Sequence, residues 1–341
     1  MKKRFFLLIT LLSCSFSGCE KVFMDSDPDD YSYGDIYDAL WKLVDEKYSY
    51  LEYKDIDWDE IYDKYLIMEG PGPTTAFQMY KQLSNMLYEL QDGHVNLFAG
   101  FDYSRNWEWF LGAPANFNWP VVERYYLGDD YWISGGLKST KLDGGKYGYI
   151  YYSSFSSSIG YMDQILKRFQ TTRGLIIDLR DNGGGSLGNA ELLADYIADT
   201  RRLTYRMRYK NGPGHNDFSD FKDHYSEPKG IGYTNPIIIL TNRQCYSATS
   251  FFVTMAKEFP NVIVLGDTTG GGAGLPVDYI LPGGWRVRLS TTRGTDARGV
   301  DFERGVEPDE KCDQDTVLLL TGVDSMIERA KELIDNYRKG L

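Results

Sequence analysis

The stretch Pro236–Pro276 constrains the fold of this chain more than any other. It reads PIIILTNRQCYSATSFFVTMAKEFPNVIVLGDTTGGGAGLP. The β-branched run Pro236–Leu240 predicts a buried strand. After a polar turn, apolar residues recur at helical spacing: Phe251, Phe252, Met255, Ala256 and Phe259. A second short strand, Val262–Leu265, runs into the glycine-rich loop Gly270–Gly274. Ser247 therefore falls at a helix start, between two strands. A hydroxyl there can face a cleft, and the free N–H groups of the first turn can stabilise an oxyanion beside it. Serine is also a preferred N-cap, and on this stretch alone capping is the simpler reading.

A second stretch has the same logic. Gly174–Asn189 reads GLIIDLRDNGGGSLGN. A buried strand, Leu175–Leu179, is followed by charged Arg180 and Asp181 and then by three glycines. Glycines let backbone N–H groups approach a ligand closely. The Gly-Lys-Ser/Thr ending of a phosphate loop is missing. Around these stretches strands and helices alternate. Tyr147–Ser154 is strand, Ile159–Phe169 helix, Leu187–Ile197 helix and Leu203–Tyr209 strand. Val277–Leu281 and Trp285–Thr291 form a hairpin, and Val323–Ile334 is a closing helix. The alternation predicts α/β layers. The polar segment Asn211–Asn235, with His215 and His224, is expected to be a loop or lid over the site. Upstream, the apolar spacing predicts helices at Asp35–Tyr50, at Trp58–Leu66 and from Thr74 or Thr75 to Leu90.

Four motifs in order resemble the S41 serine peptidases, which include C-terminal processing peptidases and the tricorn core. Gly174–Gly185 matches the family pattern D-L-R-x-N-x-G-G after a strand, and Tyr246–Ser250 matches the S-A-S/T pattern around the nucleophile. Val264–Asp267 and Gly305–Asp309 (Gly-Val-Glu-Pro-Asp) match the remaining two. The resemblance covers residues 34–310 and implies a ClpP/crotonase-like layered αββ core with an N-terminal helical domain. It also implies a serine endopeptidase acting on extended or unfolded polypeptides, with Ser247 as nucleophile. C-terminal processing peptidases use a lysine that aligns with Gly272, and no lysine occurs in Asp267–Arg286. A Ser–Lys dyad is therefore not expected. The tricorn branch implies His94, in Asp92-Gly93-His94, as general base. It also implies Glu303 as the supporting carboxylate, with Asp301 as rival. The serine that precedes the histidine in that branch is Gly93 here. The implied oxyanion donors are the N–H of Ala248 and of a glycine in Gly183–Gly185, with Gly184 favoured. The same core also serves a retinoid-binding branch. A non-catalytic protein that binds peptides or hydrophobic ligands is therefore the alternative. No spacing suggests a metal, and no cofactor is expected.

Only about fifty residues separate His94 from the strand at Tyr147. A PDZ domain of the kind found in processing peptidases is not expected there. Phe101–Trp132 holds eleven aromatics, which either fill the core or wall a peptide cleft. The formal net charge is −12, which argues against nucleic acid and mildly for neutral or basic peptides.

Lys2, Lys3 and Arg4 followed by the apolar Phe5–Leu12 read as a signal peptide. Phe16-Ser17-Gly18-Cys19 resembles a lipobox, so Cys19 is expected to carry lipid. The implied location is the outer membrane of a diderm bacterium, facing the periplasm or the exterior. Of the remaining cysteines, Cys245 is read as structural, and a Cys245–Cys312 pair is left open. The expected organisation is thus signal peptide 1–18, lipidated acidic tether 19–33, helical domain 34–97, aromatic-rich connection 98–145, and S41-like core with C-terminal helix 146–341.

Overall fold

The computed structural model describes residues 31–68, 72–106 and 112–337. The expected signal peptide, Cys19 and most of the expected acidic tether lie outside the described residues, as do Pro71, Trp107, Trp109 and Phe110. The chain opens with α1 (Tyr33–Lys47), α2 (Leu51–Lys54), α3 (Trp58–Met68) and α4 (Ala76–Tyr88). A capping box starts α1: Ser32 Oγ accepts from Asp35 N, and the Asp35 carboxylate accepts from Ser32 N. Ile36, Tyr37, Leu40 and Val44 form its buried stripe. Thr75 caps α4 in the same manner. Phe77, on the expected apolar spacing of that helix, is largely exposed.

Next come β1 (Asn96–Phe98), a short helical segment from Trp119 to Leu127, β2 (Trp132–Ser134), β3 (Leu137–Leu142) and β4 (Tyr147–Tyr152). They are followed by α5 (Met162–Phe169), β5 (Gly174–Asp178), α6 (Leu187–Ile197), β6 (Arg202–Tyr209), β7 (Lys222–Ser226) and β8 (Ile237–Thr241). The last part holds α7 (Ala248–Ala256), β9 (Val262–Gly266), β10 (Pro276–Ile280), β11 (Arg286–Ser290), β12 (Thr292–Asp296), β13 (Glu310–Lys311), α8 (Thr316–Leu320) and α9 (Ser325–Tyr337).

Seven strands form the main sheet in the order β13-β9-β8-β5-β4-β3-β2. From β13 to β4 the neighbours are parallel, and β3 and β2 add antiparallel at one edge. β5 and β8 are apolar along nearly their whole length because both faces of the sheet are covered. Alternate residues serve opposite faces: Leu175 and Ile177 join one cluster, while Ile176 packs with Ile327, Ala330 and Ile334 of α9 on the other. Two three-stranded antiparallel sheets, β1-β11-β10 and β12-β6-β7, complete the core.

Arg180 of the Asp-Leu-Arg motif is fully buried between Asp178 (2.6 Å) and Asp324 (3.0 Å). It ties the end of β5 to the start of α9. The Asn211–Asn235 segment is not a free lid. It contains β7, and His215 meets Asp45 of α1 and Glu52 of α2, whereas His224 stacks on Tyr205. The described aromatics of Phe101–Trp132 divide: Phe117 and Trp119 pack on Tyr151 and Tyr126 is buried, whereas Phe101, Tyr103, Tyr125 and Trp132 are exposed, Phe101 still touching Tyr80 and Trp285.

Candidate active site

The loops after β5, β8 and β9 meet at the carboxyl ends of these parallel strands, where open α/β sheets place their ligand crevices. Ser247 sits between β8 and α7 with φ 55° and ψ −122°. That region suits glycine, and holding a serine there costs on the order of 1–3 kcal/mol. Its hydroxyl makes no capping hydrogen bond, so the N-cap reading fails. The turn is held from both sides. Ser247 N donates to Gly271 O (2.8 Å), Gly270 N to Cys245 O (2.7 Å) and Tyr246 N to Asn182 O (3.2 Å).

His94 arrives from the turn between α4 and β1. Its Nε2 lies 2.9 Å from Ser247 Oγ. The ring is buried, which disfavours its cation and pushes its pKa down to about 4; Asp92 opposes this and Arg288 reinforces it. Nδ1 has no partner at full hydrogen-bond geometry among the described residues; the Gly274 backbone is a hydrogen-bonding group beside the ring and favours its proton.

Asp92 is the carboxylate whose charge favours the cation of this histidine. It is buried and accepts from His94 N (2.8 Å), Tyr246 Oη (3.1 Å), Tyr48 Oη (3.1 Å) and Ser290 Oγ (2.8 Å). Burial works against its charge, but Lys54, His94 and these hydrogen bonds outweigh burial and hold its pKa below the usual carboxylate range. Glu303 does not contact His94. Its Oε1 accepts from Lys54 Nζ (3.0 Å) and its Oε2 from Ala273 N (2.9 Å). Burial raises its pKa, Lys54 opposes the rise, and Asp92 adds to it. Asp301, the rival, pairs with Arg293 (3.1 Å).

Lys54 is the cation of this network. Besides Glu303 it donates to Tyr48 Oη (2.9 Å), Leu90 O (3.0 Å) and Gln91 O (3.2 Å). These contacts fasten α2 and the end of α4 to the core behind His94.

Ala248 follows Ser247 at the start of α7. Gly184 lies beneath Ser247, where an added Cβ would come within 2.8 Å of Ser247 Cβ. Its N–H donates to Asn182 Oδ1 (3.0 Å) and is not directed at a ligand. Gly183 and Gly185 instead line the cleft. A Cβ on Gly272, the position aligned with the family lysine, would sit 2.6 Å from Tyr246 Cζ. The Tyr246 ring thus fills the space a lysine would leave through. Cys245 and Cys312 are both free thiols, and burial pushes the Cys245 thiol up to about 12, which removes it as a nucleophile.

The cleft over Ser247 measures about 700 Å³, and its walls include Leu187, Leu275, Pro276 and Arg288. None of the described Phe101–Trp132 aromatics lines it, so they do not wall this cleft. Sequence reasoning missed Lys54, Tyr48, Asn182 and Ser290. Asp92 carried the one available signal, two residues before the histidine.

The chain is similar to known peptidases. A model of peptidase family S41 matches residues 146–312, and one of the tricorn protease C1 domain matches residues 29–67. A crystal structure of a presumed peptidase from Parabacteroides merdae is 40% identical, with TM-score 0.85, and the match covers 89% of this chain and 97% of that one. The carboxy-terminal processing protease CtpA of Bacillus subtilis is 26% identical over 142 residues, 41% of this chain and 29% of its own. The chain therefore spans less than a third of that curated relative. The structure of mature CPAF with lactacystin has a TM-score of 0.66 at 12% identity over 90% of this chain and 98% of its own, a likeness of fold alone. On motif order, fold and these matches, the chain belongs to peptidase family S41.

Proposed function

We propose that this protein is a serine endopeptidase, tricorn-like in its catalytic group rather than built on a Ser–Lys dyad. The observation that carries the reading is the 2.9 Å contact between His94 Nε2 and Ser247 Oγ. A serine hydroxyl is a poor nucleophile until a base takes its proton. A neutral imidazole at that distance can take it as Oγ attacks a peptide carbonyl, and can then give it to the departing amine. Water repeats the sequence to release the acyl group. Ala248 N–H with Gly183 or Gly185 N–H would receive the oxyanion. Asp92 would stabilise the imidazolium through space, since its oxygens are taken by other donors. Lys54 is not available as base because four oxygens surround its Nζ.

An extended peptide would add along β10, an edge strand whose first residue lines the cleft. Leu187, Leu275 and Pro276 suit apolar side chains near the cut. A fluorophosphonate probe tests the reading: an adduct on Ser247 in folded protein, with cleavage of a mixed peptide library, is expected. No adduct would overturn the peptidase and favour a binding protein.

For location we infer a lipid anchor at Cys19, on the lipobox-like sequence alone. Among the described residues no helix is long and apolar enough to cross a membrane. Cys19→Ser is expected to move the protein from the membrane pellet to the soluble fraction. Continued pelleting would overturn the anchor.

A further inference from the structure

The cleft carries a cation besides the groups that hold or take the proton. Arg288 lies on β11 opposite Asn96 of β1, and lines the same cleft as His94 and Ser247. Its side chain is 42% exposed, and its ion-pair contact is long, 3.9 Å from Nε to Asp278 Oδ1. Asp278 is already engaged through Oδ2 by Arg286. The Arg288 fork therefore keeps donors for another partner.

Which part of a substrate it meets follows from the chemistry. The base that takes the serine proton hands it to the leaving amine, so the His94 side of Ser247 faces the leaving fragment. Arg288 pairs in register with Asn96, two residues after His94, and lines the cleft with it, so it sits on that side. The glycine loop and Asp181 line the same cleft.

We propose that Arg288 is the receptor for a substrate carboxylate within the first few residues beyond the cut bond. This rests on the peptidase reading. Guanidinium and carboxylate match as a two-bond fork, and the pair forms in a cleft with apolar walls. The carboxylate is either an Asp or Glu side chain or the substrate's own chain end. The net charge of −12 does not prevent this. Charges farther apart than about 8 Å are largely screened at physiological salt, whereas a direct contact is not.

The test starts from a peptide that the wild type cleaves. Three versions share the acyl side and differ after the cut: Gln with an amidated end, Glu with an amidated end, and Gln with a free carboxylate two residues on. The expected kcat/KM is about tenfold higher for at least one carboxylate peptide than for the neutral one. The Glu arm and the free-end arm tell the two sources apart. Arg288→Gln should bring the ratio to within about twofold of one, and Arg288→Lys should restore part of it. Ser247 labelling reports that each variant is folded. A wild-type ratio near one overturns the proposal without any variant, and so does a ratio that Arg288→Gln leaves intact. Those results leave the peptidase standing. A wild type that cuts no peptide and leaves Ser247 unlabelled overturns the peptidase and this inference together.

Discussion

Replacing His94 by alanine is expected to lower kcat/KM by at least about 10⁴-fold and to stop fluorophosphonate labelling of Ser247. The hydroxyl would remain, still in its strained turn, with nothing to take its proton. Circular dichroism should stay native, because the lost contacts are those of one ring. Unchanged labelling would remove His94 from the mechanism.

The wild-type pH profile tests the same residue from another side. A histidine in water would give an acid limb near pH 6.5. Here burial keeps the ring neutral down to about pH 4, with Arg288 assisting and Asp92 opposing. In the proposed mechanism the neutral ring is the base, so labelling should persist below pH 6 and fall only as pH drops through about 4. Folding shares this sign. The unfolded chain takes up the proton near 6.5 and the folded chain only near 4, so stability is full above 6.5 and is lost as pH falls through about 4. Brief acid pulses followed by activity assay at pH 7 separate reversible titration from unfolding. A limb at 6.5 would mean the ring is hydrated when it works.

Lys54→Met is expected to destabilise the protein by about 3–5 kcal/mol. The Lys54 and Glu303 side chains are 8% and 2% exposed, so removing the cation leaves a buried carboxylate without its partner, beside the Asp92 carboxylate. The double variant Lys54→Met with Glu303→Gln should recover much of the loss, since the pair rather than either charge is what the site tolerates. The pH sign is set by Glu303. Its folded pKa is raised, so the folded state holds the proton longer and stability falls as pH rises above the unfolded carboxylate value. The defect of the single variant should therefore be deeper at pH 8 than at pH 5. Urea melts at both pH values measure it; a loss under about 0.5 kcal/mol would show that the pair is not structural.

The three glycines, the strand–serine–helix turn and the alternating strands were legible locally, because short-range patterns carry them. β5, β8 and α7 begin and end within a residue or two of where side-chain periodicity puts them, apart from the last turn of α7. The Asp-Leu-Arg motif was legible too, although its Arg180 proved to be a buried tie between β5 and α9. The lid expectation failed because β7 contains no strong apolar alternation; it is recruited by β6, a decision of tertiary pairing.

The sequence by itself determined the layered α/β core and the serine at a helix start, since periods of two and 3.6 residues and glycine spacing are local properties. Only the tertiary structure decided which groups surround that serine. His94 lies 153 residues from Ser247, Ser290 lies 198 from Asp92, and Glu303 lies 249 from Lys54. No periodicity links such positions. A charged residue's partner depends on which loops the sheet order brings to one end, and on the cost of burying a charge alone. That is why Glu303 pairs with Lys54 and why Asp92 stands behind His94. It is also why a cleft in an acidic protein can present an arginine.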